Sequence, residues 1–145
     1  MKPEKAEGWL ARGRRHQWAS RPLHALFSFK SAIVARPRNG AARFHMGEVL
    51  WQLGLSADAK AMWREATTVR PRHVPSWLAY AEASLNTGDP RSARDAAAAV
   101  LALQPGETRA RVFLMLAEAA LGEGEIDAGA LADIIATDPD LVLAP

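Results

Sequence analysis

Four prolines recur at a constant spacing along the chain. Pro37, Pro71, Pro105 and Pro139 each follow the previous one by 34 residues. Proline lacks the N–H that a helix interior needs and restricts the residue before it, so each of these prolines predicts the end of a helix. A period of this length, sustained over 145 residues, predicts a repeat protein whose units bury their apolar faces against one another.

Small residues recur at fixed distances before these prolines. A glycine or serine midway through each unit predicts a turn between two helices, and this column is Ser20, Gly54, Gly88 and Gly122. Two further columns flank the turn, namely Gly13, Gly47, Ala81 and Met115, and Ala25, Ala59, Ala93 and Asp127. Each unit is therefore expected to form two helices, at about 7–19 and 22–35, 40–53 and 56–69, 74–87 and 90–103, and 108–121 and 126–137.

These columns resemble the signature of the tetratricopeptide repeat (TPR), which is Trp-x2-Leu-Gly-x2-Tyr, then Ala-x3-Phe, then Pro. Repeat one carries Trp9, Gly13, Ala25, Phe29 and Pro37 at these positions, whereas repeat four departs most. The resemblance implies an all-α, right-handed α-solenoid of four helix-turn-helix TPR units with eight helices. It also implies a single TPR domain over 6–141, with repeats at about 6–39, 40–73, 74–107 and 108–141, an N-terminal tail at 1–5 and a C-terminal tail or junction at 142–145.

The resemblance also implies that the first helix of each repeat lines a concave groove that binds a protein or peptide partner. Residues at i, i+4, i+7 and i+8 share one face of a helix. Exposed apolar and aromatic side chains among a few polar ones are typical of binding interfaces. We expect the partner-binding groove to comprise Leu10, Arg14, Trp18, Phe44, Glu48, Trp51, Leu78, Glu82, Leu85 and Val112.

The other tryptophans are predicted to be structural. Trp9, Trp63 and Trp77 occupy signature columns, and large side chains at helical spacing are more often buried than functional. A subset of the family grips the carboxylate terminus of chaperones through Lys, Asn and Arg. Glu48 and Glu82 stand in the charged column here and would repel such a carboxylate, which disfavours that function.

The sequence contains no catalytic or metal-binding constellation. It has no cysteine, and His16, His24, His45 and His73 show no metal-ligand spacing. Gly122-Glu-Gly124 lacks the third glycine and the preceding strand of a phosphate-binding loop. We therefore expect a non-enzymatic scaffold that needs no cofactor and no metal.

Charge is distributed as a gradient. The net charge is +8 over residues 1–45, zero over 46–105 and −6 over 106–145. Two alternatives to groove binding follow: the basic first repeat binds nucleic acid or another acidic surface, or the acidic and basic ends associate head to tail as an assembly module of a larger protein. Nucleic acid is the less favoured partner, since the basic residues surround both helices without the aromatic pattern of a known reader.

The longest apolar stretch, Ala96–Leu103, is eight residues long, far below the roughly 20 needed to cross a bilayer. The N-terminus interleaves charges before any apolar run of signal-peptide length. We expect a cytoplasmic protein with no membrane span.

Overall fold

The computed structural model describes residues 3–137, and the regular secondary structure in that range is entirely α-helical. This confirms the all-α, helical-repeat prediction. Pro139 and the expected tail at 142–145 lie outside the described residues. The eight helices of the described range are α1 (Pro3–Trp18), α2 (Pro22–Ala35), α3 (Gly40–Gln52), α4 (Ser56–Val69), α5 (Val74–Asn86), α6 (Pro90–Leu103), α7 (Thr108–Leu121) and α8 (Ala128–Thr137).

Two helix starts differ from the sequence expectation. α1 begins at Pro3 rather than residue 7, so residues 3–5 of the predicted tail are helical. α8 begins at Ala128 rather than residue 126, and Asp127 Oδ1 accepts a hydrogen bond from the N–H of Ala130 at 3.0 Å. Asp127 therefore caps α8 from outside, because a short acidic side chain satisfies an unpaired N–H of the first turn.

The chain divides into two compact units, Met1–Ser76 and Trp77–Pro145, with the boundary inside α5. In the first unit, α2 and α4 end at Ala35 and Val69. The next residues, Arg36 and Arg70, have non-helical backbone angles and directly precede the repeat prolines. α6 of the second unit ends in the same way, with Gln104 before Pro105. The proline spacing thus sets these helix ends, as expected.

Each helix pair of the first unit is closed by an aromatic ring that lies against a glycine. A Cβ atom added at Gly13 would collide with the ring of Phe29, and one added at Gly47 would lie 2.7 Å from Trp63 Cδ1. Phe29 is fully buried, and the indole N–H of Trp63 donates to the carbonyl of Phe44 at 3.0 Å. The rings occupy the volume that a side chain on the first helix would need, so the helices can approach closely only with glycine there.

In the second unit, small residues stand on both helices where α5 and α6 approach each other. Ala81 and Ala97 occupy the corresponding columns, are fully buried, and belong to one cluster with Ala96 and Phe113. A smaller cluster joins Val112 of α7 to Ile134 of α8. Of the three tryptophans predicted to be structural, Trp63 is buried, whereas Trp9 and Trp77 are half-buried.

The turn column adopts a left-handed backbone. Gly54, Gly88 and Gly122 have φ angles of 80°, 76° and 71°, and Ser20 has a φ of 58° at the same position of repeat one. Among the described residues Ser20 is the one non-glycine with a positive φ. Residues other than glycine are sterically strained in the left-handed conformation, so the turn of repeat one is strained whereas the glycine turns of the other repeats are not.

We expect Gly13→Ala to lower the free energy of unfolding by about 1–3 kcal/mol, because the buried Phe29 ring cannot move away from the added methyl group. Gly8→Ala is the matched control in the same helix. Gly8 has no atom within 4 Å of the added Cβ, and we expect about 0.5–1 kcal/mol of stabilisation from helix propensity. Urea denaturation of the three proteins measures both effects, and equal stability of the two variants would contradict the close approach.

We expect Ser20→Gly to stabilise the protein. Relief of the left-handed strain contributes about 1–2 kcal/mol, and the greater freedom of glycine in the unfolded chain removes about 0.4–1 kcal/mol of this. The net gain is about 0.5–1 kcal/mol, and the reciprocal Gly54→Ser should lose a similar amount. Thermal and urea unfolding would measure the pair, and a destabilised Ser20→Gly would show that the serine makes a compensating contact.

Candidate partner-binding site

A chain of polar contacts joins α1 to α3 in the first unit. Arg14 lies 3.0 Å from His45 Nε2, and His45 Nδ1 lies 2.6 Å from Glu48 Oε1. Gln17 Nε2 donates to the same carboxylate oxygen at 3.2 Å. A guanidinium can only donate, so Nε2 of His45 accepts, and Nδ1 carries the proton that is donated to Glu48. We call Arg14, Gln17, His45 and Glu48 the α1–α3 network.

The network keeps Glu48 in its charged form. Burial acts to raise the pKa of Glu48, but the hydrogen bonds from His45 and Gln17 and the charge of Arg14 outweigh it, leaving the pKa below its ordinary value. At the same face, Gln17 Oε1 is buried and accepts no hydrogen bond from the described residues. The network therefore holds a fixed negative charge beside a buried acceptor that no described donor satisfies.

Aromatic rings surround the network. The His45 ring stacks on Phe29 with centroids 5.9 Å apart, and Phe44 meets His45 edge to face at 5.3 Å. Phe44 also meets His73 edge to face at 5.1 Å. Burial, followed by the charge of Arg70, lowers the pKa of His73. Phe44 therefore contacts two imidazole rings, those of His45 and His73, and the His73 ring is uncharged at neutral pH.

The structure brings some of the predicted groove residues of the first unit together. Arg14 and Glu48 meet through His45, and Phe44 lies beside them. Trp51 is half-buried with its ring 5.7 Å from Trp63. The two remaining residues take opposite roles: Leu10 packs against the buried Ala25, Phe29 and Val49, whereas Trp18 is 81% exposed.

The predicted residues of the second unit are mostly packing residues. Leu78 and Leu85 pack against the Ala81 cluster, and Glu82 is exposed. Val112 is fully buried with Ile134, so its assignment as an exposed groove anchor does not fit the structure. The column of Leu10, Phe44, Leu78 and Val112 is apolar because it packs between helices, and at its last position it reaches the core.

His45 was not among the sequence-predicted site residues. It follows Phe44 and so falls outside the face defined by i, i+4, i+7 and i+8. The signal that could have identified it is its spacing to Glu48, since residues three apart on a helix can pair. The columns compare equivalent positions in different repeats, so they do not reveal a pair such as His45 and Glu48 that lies within one helix.

The part of the chain that the structure describes holds neither a metal-binding cluster nor a membrane-spanning helix. No group of three His, Asp or Glu side chains between residues 3 and 137 is arranged to hold a metal ion. Within the same range, no helix combines the length and apolar character that crossing a membrane requires.

No protein-family model and no curated protein matches the sequence. Solved structures do match. The MamA protein superposes with a TM-score of 0.84 at 18% identity, over 97% of this chain and 76% of that one. The first TPR domain of Spaghetti, bound to an HSP90 peptide, gives a TM-score of 0.73 at 17% identity, over 84% of this chain and 99% of that one.

The TPR2B domain of yeast Sti1, in complex with an Hsp70 partner, gives a TM-score of 0.67 at 20% identity, over 83% of this chain and 98% of that one. These identities are low, so the likeness concerns the fold. Eight helices at a 34-residue period and these structural neighbours agree. The chain has the tetratricopeptide-repeat fold.

Proposed function

We propose that the chain is a cytoplasmic, non-catalytic scaffold that binds a segment of a partner protein on the face formed by α1 and α3. The observation that carries this proposal is the α1–α3 network, in which four polar side chains from two helices converge beside Phe44. Polar groups that are fixed in position next to aromatic rings are the usual means of orienting a bound segment.

The similar structures support this class of function. The Spaghetti and Sti1 domains are both in complexes, one with an HSP90 peptide and one with an Hsp70 partner. A TPR fold gives this chain the same kind of framework, and function then depends on which side chains it presents.

The chemistry of the face favours a partner segment without a terminal carboxylate. Glu48 is ionised at neutral pH and repels a second carboxylate. Trp18 and Trp51 offer apolar surface. We therefore propose that the segment binds through its apolar side chains.

Nucleic acid is a weaker candidate, because two basic side chains of the first unit are engaged within the chain. Arg14 bonds His45, and Arg43 pairs with Glu65 at 3.1 Å. Phosphate binding needs several free cations on one face, and these two side chains already have partners.

The first test uses peptides selected from a displayed random library on the immobilised wild-type protein. The double variant Trp18→Ala, Trp51→Ala should weaken the anisotropy-measured affinity of a selected peptide by at least about tenfold, because aromatic anchors dominate such interfaces. Phe27→Ala, which also removes an exposed aromatic side chain but from α2, should leave the affinity unchanged. A helical double variant that binds as tightly as wild type would refute the placement of the site.

The second test concerns the charge of Glu48. Its pKa is lowered in the folded state, so its ionised form stabilises the fold above the unfolded pKa near 4.5, and this stabilisation is lost as the pH falls through the folded pKa. Glu48→Gln should be less stable than wild type by about 1 kcal/mol at neutral pH and equally stable in strong acid. Urea denaturation across pH checks this, and a constant difference at every pH would show that the charge plays no part.

A further inference from the structure

An exposed apolar stripe runs along α2. Leu23, Phe27 and Val34 are 73%, 65% and 62% exposed, and their spacing of four and seven residues places them on one face of the helix. Single exposed apolar residues are ordinary, but three large ones in register form a surface that water solvates poorly.

The other repeats show that this stripe is not required by the fold. At the register position of Leu23 they carry Ala57, Arg91 and Glu125, and at that of Phe27 they carry Ala61, Asp95 and Gly129, all of them exposed. The stacking of repeats therefore leaves these columns in solvent, where small or charged residues suffice. Repeat one alone places large apolar side chains there, which indicates a contact that the other repeats do not make.

The stripe continues into an open cleft between α1 and α2. The Trp9 ring meets Phe27 edge to face at 5.8 Å, and the Arg12 guanidinium lies over the Trp9 ring at 4.9 Å from its centroid. The cleft has a volume of about 370 Å³ and is lined by Trp9, Arg12, His16, Leu23, His24 and Phe27. Its walls are apolar and the Arg12 guanidinium makes its rim basic, so a suitable occupant is an apolar side chain accompanied by carboxylates.

The second unit presents a segment of this chemistry. The connection between α7 and α8 carries Ile126, which is 51% exposed, directly between Glu125 and Asp127. The same column holds His24, Asp58 and Ser92 in the other repeats, so isoleucine is again the exception. Asp127 uses one carboxylate oxygen, Oδ1, to cap α8, and Glu125 is exposed.

We propose that the α7–α8 connection of a second copy of this chain docks on the cleft between α1 and α2, with Ile126 against Phe27 and its flanking carboxylates at the basic rim. Charge supports a second copy as the occupant: residues 1–45 carry +8 and residues 106–145 carry −6. The contact joins the cleft of one copy to the α7–α8 connection of another. A dimer therefore still carries one unoccupied cleft and one unoccupied connection, and the assembly extends head to tail as protein concentration rises. None of the residues that line the cleft belongs to the α1–α3 network, so the contact adds an assembly function to the proposed scaffold.

Light scattering on the full chain measures the first consequence. The average mass should rise with protein concentration at about 50 mM NaCl and return towards the monomer value at about 500 mM, because salt screens the charges at the rim. Phe27→Asp should be monomeric at both salt concentrations. Ala61→Asp is the matched control: it introduces the same charge at the same register position of repeat two and should assemble like wild type. Asp95 already occupies this column in repeat three, so the substitution is compatible with folding.

A mixing experiment tests the polarity of the contact. Phe27→Asp destroys the cleft but leaves the acidic connection intact, whereas Ile126→Lys does the reverse. Each variant alone should remain a monomer, and an equimolar mixture should form a dimer that grows no further, because the second end of each copy is blocked. Ala98→Lys adds the same charge at an exposed site on α6 and should leave assembly unchanged.

Several outcomes would overturn the proposal. A wild-type protein that stays monomeric at low salt over about a hundredfold range of concentration excludes the contact. A mixture of the two variants that stays monomeric, or an Ile126→Lys variant that still assembles, excludes the proposed pairing. Binding of monomeric wild type to vesicles containing anionic lipid, with no self-association, would assign the stripe to a membrane surface instead.

Discussion

The close approach of α1 to α2 and of α3 to α4 is the constraint on which the first unit and its candidate site depend. In the first unit a buried ring on the second helix fills the space left by a glycine on the first, as Phe29 does at Gly13 and Trp63 at Gly47. Tight packing of this kind fixes the rotation of the first helix, because a different rotation would place a side chain against the ring. The residues on its opposite face are then fixed as well, and the α1–α3 network becomes possible because α1 and α3 are each held in this way.

The proline period made most of the fold predictable from sequence. A proline cannot be accommodated in a helix interior, so the ends of α2, α4 and α6 follow from local chemistry alone. The start of α8 was less predictable. Repeat four carries Asp127 where the other repeats have alanine. The first turn of α8 therefore depends on the side-chain cap from Asp127 rather than on a residue shared by the repeats. Local rules thus predict the regular repeats well and fail where a repeat departs from its own period.

The candidate site was less predictable than the fold because helical periodicity shows which residues share a face but not what covers that face. Leu10, Phe44, Leu78 and Val112 share a column, yet the first three are half-buried and Val112 is fully buried against Ile134. The polar part of the site depends on contacts between helices, such as Arg14 with His45, which are 31 residues apart. A 34-residue register aligns equivalent positions and therefore does not reveal contacts between non-equivalent ones.

Departures from a repeat column carry information that the column itself does not. Phe27 stands in a column that is exposed in every repeat, and Ile126 is itself 51% exposed, so the packing of repeats does not require a large apolar side chain at either position. Ser20 is a departure of another kind, since it replaces a glycine at a left-handed turn. Phe27 and Ile126, by contrast, each combine an exposed apolar side chain with nearby charges of one sign, positive in repeat one and negative in repeat four. That combination is a requirement of recognition between surfaces, and packing within a repeat does not produce it.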